Sequence, residues 1–359
     1  MRVLFLALLL VSSAWALPQG VEQSAAGSLG GVRVYSWTYP SGELKVKGLL
    51  FMPPSEEPLP LVIFSHDGVS GNSKEHRLSC ARLAKAGFAV FAPSFRGEDG
   101  SQGTIEIAKG EVDDVLNAIP LLSKVPGIDG RRVALAGASH GALVSVLAAA
   151  RNPDVDCVVE AYGVMDIYRW WAYLKKAGKL GNDDLTRRTY GKGPQDRPQS
   201  FAIRHALSVV PRLKAPVLIL QGGQDDIVPP EQAELFKAEL DRHKKRVVLK
   251  IYPDCLHGFL VYAPYLKSGV TRAERAQTDQ AWKDMLAFLR EHLGNQVGPG
   301  AIRRTQYGAP TGESQPRAAV LPSPFQQGAF QTGWKPRRAR PGGGRGQVPV
   351  DLDGDGRKE

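Results

Sequence analysis

Residues 137–141 read Gly-Ala-Ser-His-Gly, between an apolar run, Val133 to Ala136, and a run of small residues, Ala142 to Ala150. This pattern predicts a strand, a sharp turn and a helix, with Ser139 placed at the turn as a nucleophile. A strained turn would raise Oγ of Ser139 above the sheet, where the N–H groups that open the helix face the atom it attacks. An ordinary turn without chemistry is the alternative, since Gly, Ala and Ser fill many turns.

A serine hydroxyl attacks well only when a base removes its proton, and the base needs an anionic partner that holds its tautomer. We expect His257 to be the base, because it lies in a turn directly after an apolar run. Asp225 and Asp226 compete for the acid, and the spacing favours Asp225, with Gly222 three residues before it and Val228 three residues after it. A helix cap for either aspartate, and a packed core histidine for His257, are the alternatives.

The tetrahedral intermediate of such a reaction needs N–H donors for its oxyanion. The expected first donor is the backbone N–H of His140, the residue after the predicted nucleophile. The second donor is expected from the loop Asp67, Gly68 and Val69, with no preference among the three. A charged Asp67 side chain beside an oxyanion would be unfavourable, so we expect it to point away or to be paired.

The other histidines differ in their surroundings. His66 stands in the loop that is expected to give the second oxyanion donor. His76, His243 and His292 lie on polar stretches of predicted helices, so we expect them to be solvated. His205 lies in an insertion described below.

The elements that must position these residues alternate between short apolar runs, typical of buried strands, and stretches with helical spacing. Eight strands are predicted: Gly31–Tyr39, Leu44–Met52, Leu59–Phe64, Phe88–Ala92, Val133–Ala136, Val155–Ala161, Pro216–Leu220 and Arg246–Tyr252. Helices are predicted over residues 73–87, 105–123, 142–150, 231–243 and 271–293. The alternation predicts an α/β fold, a mostly parallel eight-stranded sheet flanked by helices. Ser139, Asp225 and His257 then follow the fifth, seventh and eighth strands, at one edge of the sheet.

Residues 163–213 break this alternation and are predicted to be a helical cap insertion over the site. They contain Trp170, Trp171, Tyr173 and Tyr190, with mixed charge and Gly/Pro interruptions. Such aromatic residues either line a substrate pocket or form the insertion's own core.

The two ends of the chain differ in composition from the rest. Residues 1–16 combine Arg2, an apolar run and small residues at Ala14 and Ala16, which predicts a signal peptide and a secreted or periplasmic protein; a buried first strand is the alternative. Residues 17–294 are the predicted catalytic domain, and residues 295–359, rich in Gly, Pro and Arg, a disordered basic tail. Asp351–Gly356 matches the opening of a calcium loop but lacks the closing glutamate, so no tight site is expected. No later stretch is long and apolar enough for a transmembrane helix.

Half of the formal net charge of +10 lies in the tail, where ten Lys and Arg stand against five Asp and Glu. The charge therefore says little about the site, and no nucleic-acid partner is expected. The tail either contacts an acidic polymer or cell envelope or is a solvated linker. Cys80, Cys157 and Cys255 form no C-x-x-C pair, which indicates neither a disulfide framework nor a zinc site. No cofactor or metal is expected.

Several motifs together resemble the α/β-hydrolase superfamily, in its dienelactone-hydrolase-like and prolyl-oligopeptidase-like branch. The segments that carry the resemblance are residues 60–68, 95–97, 111–115, 137–141, 222–229 and 256–259. The resemblance covers about residues 30 to 293 and implies Ser139 as nucleophile, Asp225 as acid and His257 as base. Dienelactone hydrolases proper carry a cysteine at the nucleophile position, and the propeller repeats of prolyl oligopeptidases do not precede Gly31 here. Asp67 also interrupts the His-Gly pair common in such loops.

The function expected from these residues is an exported serine hydrolase that cleaves a carboxylic ester through an acyl-enzyme on Ser139. The substrate is then a small ester or, as the second possibility, a short peptide. A non-catalytic binding protein on a hydrolase scaffold, with the basic tail as its working part, is the alternative from another class. An intact set of three catalytic residues argues against it, because binding does not require them.

Overall fold

The computed structural model of the protein describes residues 17–294. The predicted signal peptide, residues 1–16, and the predicted tail, residues 295–359 with its Asp351–Gly356 segment, lie outside the described residues. Among the helices of residues 17–294, none has the length and apolar character needed to cross a membrane.

A nine-stranded sheet forms the centre of the described chain, in the order β1-β2-β3-β5-β4-β6-β7-β8-β9. The first three strands and the β3–β5 pair are antiparallel, and the pairs from β5 through β4 to β9 are parallel. The bounds are β1 (Glu22–Leu29), β2 (Val32–Ser41), β3 (Leu44–Met52), β4 (Leu59–Ser65), β5 (Ala89–Pro93), β6 (Ile128–Ala138), β7 (Cys157–Ala161), β8 (Val217–Gly222) and β9 (Val247–Tyr252). The predicted fold class is confirmed.

The predicted count of eight strands was wrong, because the pattern does not reveal β1. This strand reads EQSAAGSL, and all of its side chains but the last are exposed. It lies at the edge of the sheet and pairs only with β2. A strand that buries neither face has no alternation of apolar and polar residues to detect.

Helices cover both faces of the sheet, which explains why the central strands are nearly all apolar. Helices α2, α3 and α7 pack in the apolar cluster on one face, and α1, α8 and α9 pack in the cluster on the other. The bounds are α1 (Lys74–Lys85), α2 (Gly110–Leu122), α3 (His140–Ala149), α4 (Ile167–Lys176), α5 (Asp184–Tyr190), α6 (Pro198–Ala202), α7 (Glu231–Arg242), α8 (Phe259–Tyr262) and α9 (Arg272–Gly294), with a 3₁₀ helix at Ala206–Arg212.

The helix predicted over residues 105–123 begins later than expected, at Gly110. Ile107 and Ala108 have φ of 53° and 50°, in the left-handed region that residues with side chains rarely adopt. The Glu111 carboxylate accepts hydrogen bonds from backbone N–H groups of this segment, which takes the place of a first helical turn. The spacing of apolar residues could not reveal that the Glu111 side chain binds these backbone N–H groups.

The segment between β7 and β8 contains α4, α5, α6 and the 3₁₀ helix, and we call it the cap. Trp171, Tyr190 and Phe201 are fully buried in it and pack edge-to-face or tilted against one another. Their apolar cluster also includes Val69 and Val228, from loops at the carboxyl ends of β4 and β8. The buried cap aromatics therefore form the insertion's own core, and that core rests on loops that carry predicted site residues.

Candidate active site

Ser139 occupies a strained turn between β6 and α3. Its φ is 51° and ψ is −114°, and its N–H donates to the carbonyl of Ala161 over 2.8 Å. The flanking glycines permit a close backbone approach: a Cβ at Gly137 would overlap the Gly141 carbonyl, and a Cβ at Gly141 would overlap the Ser65 carbonyl. The turn places Ser139 at the carboxyl edge of the parallel strands.

The structure brings Ser139, His257 and Asp225 together. Nε2 of His257 lies 3.1 Å from Oγ of Ser139, and Nδ1 lies 2.7 Å from Oδ2 of Asp225. An ionised carboxylate only accepts hydrogen bonds, so Nδ1 of His257 carries the ring proton and donates to Asp225. The lone pair of Nε2 then faces the Ser139 hydroxyl. The arrangement can remove a proton from Ser139.

The Asp225 carboxylate is held in place by main-chain groups. Its Oδ1 accepts from the N–H groups of Ile227 and Val228 at 3.0 and 2.8 Å, while the Gln221 amide donates to Oδ2 over 3.3 Å. Asp226 turns the other way, toward the cap, where Nζ of Lys179 lies 2.9 Å from its Oδ2. The structure thus places Asp225 against the histidine, whereas Asp226 contacts Lys179.

The carboxylates around His257 raise its pKa. Burial alone would lower its pKa, but the charge and hydrogen bond of Asp225, followed by the charges of Asp67 and Asp226, raise it above the ordinary value. The Tyr162 ring packs edge-on against the imidazole, with centroids 5.0 Å apart. An imidazolium that forms at His257 is therefore stabilised by three carboxylates.

Asp67, one of the predicted oxyanion-loop residues, has a paired side chain. The Tyr262 hydroxyl donates to its Oδ1 over 2.6 Å, and Nε2 of His76 lies 2.9 Å from the same oxygen. Nδ1 of His76 accepts from the Ser73 N–H, so Nε2 carries the ring proton and donates a hydrogen bond to Asp67. Burial alone would raise the pKa of Asp67, but His76, Tyr262 and the charge of His257 lower it overall, which keeps the carboxylate ionised.

His76 corrects one prediction. It was expected to be solvated on a polar helix, but it is 2% exposed and buried against Asp67. The burial of His76 depends on its contact with Asp67, nine residues earlier, and on the fold that brings Tyr262 to the same carboxylate. His243, directly after α7, and His292, in α9, are half-buried.

The other predicted donors stand at the same edge. His140 is the first residue of α3, and the first N–H groups of a helix have no acceptor within it. Gly68 contacts the His140 imidazole through its carbonyl, and Val69 packs into the cap cluster. All three loop candidates, Asp67, Gly68 and Val69, remain candidates for the second donor.

Two buried carboxylates were missed at the sequence level. Glu98 lies 2.9 Å from Nε2 of His66, and both residues are almost completely buried. Burial would lower the pKa of His66, but the hydrogen bond and charge of Glu98 raise it overall. Glu160, on β7, accepts from the N–H of Gly163, and burial raises its pKa to about 8. Neither carboxylate belongs to a motif, and only the folded chain shows their burial.

Within residues 17–294, no group of three or more His, Cys, Asp or Glu side chains could hold a metal ion. Cys80, Cys157 and Cys255 are all buried free thiols.

Comparison with known proteins agrees with this architecture. The sequence model of the Dienelactone hydrolase family matches residues 46–293. An uncharacterized peptidase of Bacillus subtilis is 26% identical over 229 residues, covering 64% of this chain and 87% of that protein. The acylamino-acid-releasing enzyme of Mus musculus is 28% identical over 274 residues, covering 70% of this chain and 34% of the enzyme, so the chain spans about a third of that relative.

Among solved structures, acetyl xylan esterase 1 from Thermoanaerobacterium sp. superposes with a TM-score of 0.56 at 20% identity. The match covers 74% of this chain and 87% of that chain. At this identity the likeness shows a shared fold.

Proposed function

The chain belongs to the dienelactone hydrolase family, and we propose that it is a serine hydrolase that cleaves a carboxylic ester through an acyl-enzyme on Ser139. One observation carries the proposal: His257 bridges Oγ of Ser139 and the Asp225 carboxylate, at 3.1 and 2.7 Å. A nucleophile, a base and an orienting acid within hydrogen-bond reach of one another are what acyl transfer by a serine requires.

The reaction proceeds in two halves. His257 takes the Ser139 proton as Oγ bonds to the ester carbonyl carbon, and the carbonyl oxygen becomes an oxyanion facing the His140 N–H and a second N–H of the Asp67–Val69 loop. Collapse of this intermediate breaks the carbon–oxygen bond to the alcohol, which leaves with the proton held by His257. A water molecule then gives a proton to His257 and attacks the acyl carbon. The bond from this carbon to Oγ breaks, the acid leaves, and His257 returns the proton to Oγ of Ser139. Asp225 stays ionised throughout.

A short peptide is the second candidate substrate, because two similar proteins are described as a peptidase and as an acylamino-acid-releasing enzyme. Both substrates would use the same residues. Paired substrates with one acyl group, a p-nitrophenyl ester and the corresponding p-nitroanilide, separate the two. We expect the ester to be turned over; an anilide hydrolysed with the higher kcat/KM would make the chain a peptidase.

The test of the nucleophile is Ser139→Ala. We expect it to lower ester turnover by about a thousandfold or more, because no other hydroxyl replaces Oγ, and to abolish covalent labelling by a fluorophosphonate. Asp225→Asn and Asp226→Asn form a matched pair, in which we expect a large loss of kcat for the first and a small change for the second. Unchanged turnover in Ser139→Ala would remove Ser139 from its role, and an unlabelled wild-type protein would favour the non-catalytic binding protein.

We also propose that the protein is exported and that its mature chain begins near Leu17. The support is the composition of residues 1–16. N-terminal sequencing of the protein recovered from the periplasm or medium tests this, and a chain that retains Met1 inside the cell would contradict it.

A further inference from the structure

The imidazole of His140 is buried, and each ring nitrogen has a main-chain partner. The N–H of Ala108 donates to Nε2 over 3.0 Å, and Nδ1 lies 2.9 Å from the carbonyl oxygen of Gly68. A nitrogen that accepts from an amide carries no proton, so the ring is the Nδ1–H tautomer and donates to Gly68. Burial lowers the pKa of His140 to about 4, so the ring is neutral near pH 7.

This hydrogen bond orients the loop that holds the candidate second oxyanion donors. Gly68 has a φ of 65°, a conformation that suits glycine. In a trans peptide group the N–H points opposite to the carbonyl, so a fixed Gly68 carbonyl also fixes the direction of the Val69 N–H. His140 therefore offers its own N–H as one donor and holds the loop of the other with its side chain.

The Ala108 N–H reaches His140 only because the chain there is strained. Ile107 and Ala108 both have φ near 50°. The Glu111 carboxylate accepts from three neighbouring N–H groups in residues 106–109, at 2.6–3.1 Å, and Ala108 is the one in this stretch that turns to His140 instead. Strain of this kind persists only when the surroundings hold it.

Arg204, which lies in the cap, also binds the strained segment. It is 3% exposed, and its guanidinium donates to the carbonyls of Ile107, at 2.5 Å, and Glu106, and to Ser200 in its own segment. It also lies over the Tyr190 ring, 5.4 Å from the centroid. Arg204 therefore donates to carbonyls of the strained segment, while Glu111 accepts from its N–H groups.

We propose that Arg204 and the His140 side chain are positioning residues for the oxyanion hole, so that docking of the cap and alignment of the oxyanion donors are coupled. The proposal rests on the function proposed above and deepens it. The coupling runs through main-chain atoms: from the Arg204 guanidinium to the carbonyls of residues 106 and 107, from the Ala108 N–H to Nε2 of His140, and from Nδ1–H to the Gly68 carbonyl. Without the cap contact, the segment relaxes, His140 loses the partner that sets its tautomer, and the loop loses its orientation.

A merely structural role for Arg204 gives a different kinetic result. Loss of folded protein lowers the number of active sites but not the kcat of those that remain. Misaligned oxyanion donors lower kcat per site, because the oxyanion forms in the transition state and not in the bound substrate. Rates are therefore divided by the concentration of sites titrated with a fluorophosphonate.

The first experiment compares Arg204→Met with Arg188→Met. Arg188 is a matched control, because it also lies in the cap and donates to the same segment, at the Ile105 carbonyl, but is exposed and contacts neither left-handed residue. We expect Arg204→Met to lower kcat per site about tenfold with KM within about twofold, since a displaced donor costs less than the 10²–10³ of a deleted one. Arg188→Met should leave both constants unchanged. Equal effects of the two variants, or a change in KM alone, would overturn the proposal.

The second experiment is a double-mutant cycle with His140→Leu, which removes both ring hydrogen bonds. We expect His140→Leu to lower kcat per site at least as much as Arg204→Met, and Arg204→Met to cost less than about twofold more in the His140→Leu background. His140→Asn keeps a donor near the Nδ1 position, so it should recover part of kcat. Fully additive losses, or no recovery by Asn, would contradict the coupling. If Arg204→Met does not fold, Arg204→Lys replaces it.

The third measurement does not depend on catalysis. Long-range ¹H–¹⁵N spectra report the His140 tautomer directly, whether or not the protein hydrolyses an ester. We expect the Nδ1–H tautomer from pH 5.5 to 8, changing in Arg204→Met. An Nε2–H tautomer in the wild type would overturn the inference, whereas failure of the proposed function would appear as unlabelled Ser139 with the tautomer intact.

Discussion

The Asp67 carboxylate gives the site a second anion beside its base. Tyr262 and His76 both hold it through Oδ1, and the charge of Asp67 is one of the three carboxylate charges that raise the pKa of His257. The other two belong to Asp225 and Asp226. An ionised group in the oxyanion loop would oppose a developing oxyanion, but one bound by two donors is partly neutralised and still favours the imidazolium.

Asp67→Asn tests this electrostatic role while keeping both hydrogen bonds to the side-chain oxygen. Removing the charge lowers the pKa of His257, so the neutral base persists to lower pH. The acid limb of the kcat/KM profile should therefore move to lower pH, with plateau activity within about tenfold of the wild type. Asp226→Asn, whose charge has the smaller influence, should move the limb less. A limb that stays in place or moves to higher pH would show that Asp67 does not act on His257.

At the residue scale, the three proposed catalytic side chains could be predicted because each follows a recognisable strand, although β9, the strand before His257, buries only Tyr252. Parallel strands end at the same edge, so sequence order becomes proximity. The partners that tune them could not be predicted. His76 lies on a helix that reads as polar, and its burial depends on Asp67 and Tyr262, which only the folded chain brings to it.

At the element scale, α3 can approach the sheet closely because Gly141 has no side chain. A Cβ at Gly141 would overlap the main-chain carbonyls of Ser65 and His66 at the end of β4. Backbone atoms of a central strand cannot move aside as a flexible side chain can. The strand, turn and helix around Ser139 therefore form one packed unit with β4.

Gly141→Ala should destabilise the fold and displace Ser139. We expect the free energy of unfolding to fall by about 1–3 kcal/mol, the usual result of overpacking. Urea unfolding followed by far-UV circular dichroism measures this, with Gly294→Ala as the control, because a Cβ at Gly294 meets nothing within 4 Å. The control should stay within about 0.5 kcal/mol of the wild type. Equal stability of the two variants would contradict the close approach.

The elements that escaped prediction did so for opposite reasons. β1 buries no side-chain face, so it has no hydrophobic pattern and is held by main-chain pairing with β2. The segment before α2 has a helical pattern but not a helical backbone, because Glu111 and Arg204 bind its peptide groups. Hydrophobic periodicity detects burial, and neither main-chain pairing nor side-chain capture leaves that signal.

At the scale of the whole molecule, the composition of residues 295–359 predicts a tail that is separate from the catalytic domain. A shortened chain of residues 17–294 should therefore fold and hydrolyse an ester with kcat/KM within about twofold of the full chain. Removal of residues 295–359 takes away much of the basic excess, so retention on an anionic resin at low salt should fall. Loss of ester turnover with the fold intact would assign the tail a part in catalysis.

Helix α3 has one more consequence, since all ten of its residues are buried. A helix with all of its residues buried exposes its hydrogen-bonded amides only when the surrounding layers separate, so deuterium uptake beyond its first turn should require opening of the entire domain. The helix that follows Ser139 should then not unfold locally while the rest of the domain stays folded. On warming, esterolysis should vanish in the same narrow interval as the near-ultraviolet dichroism of the buried tryptophans, and a chain inactivated well before that signal fades would show that the serine loosens independently.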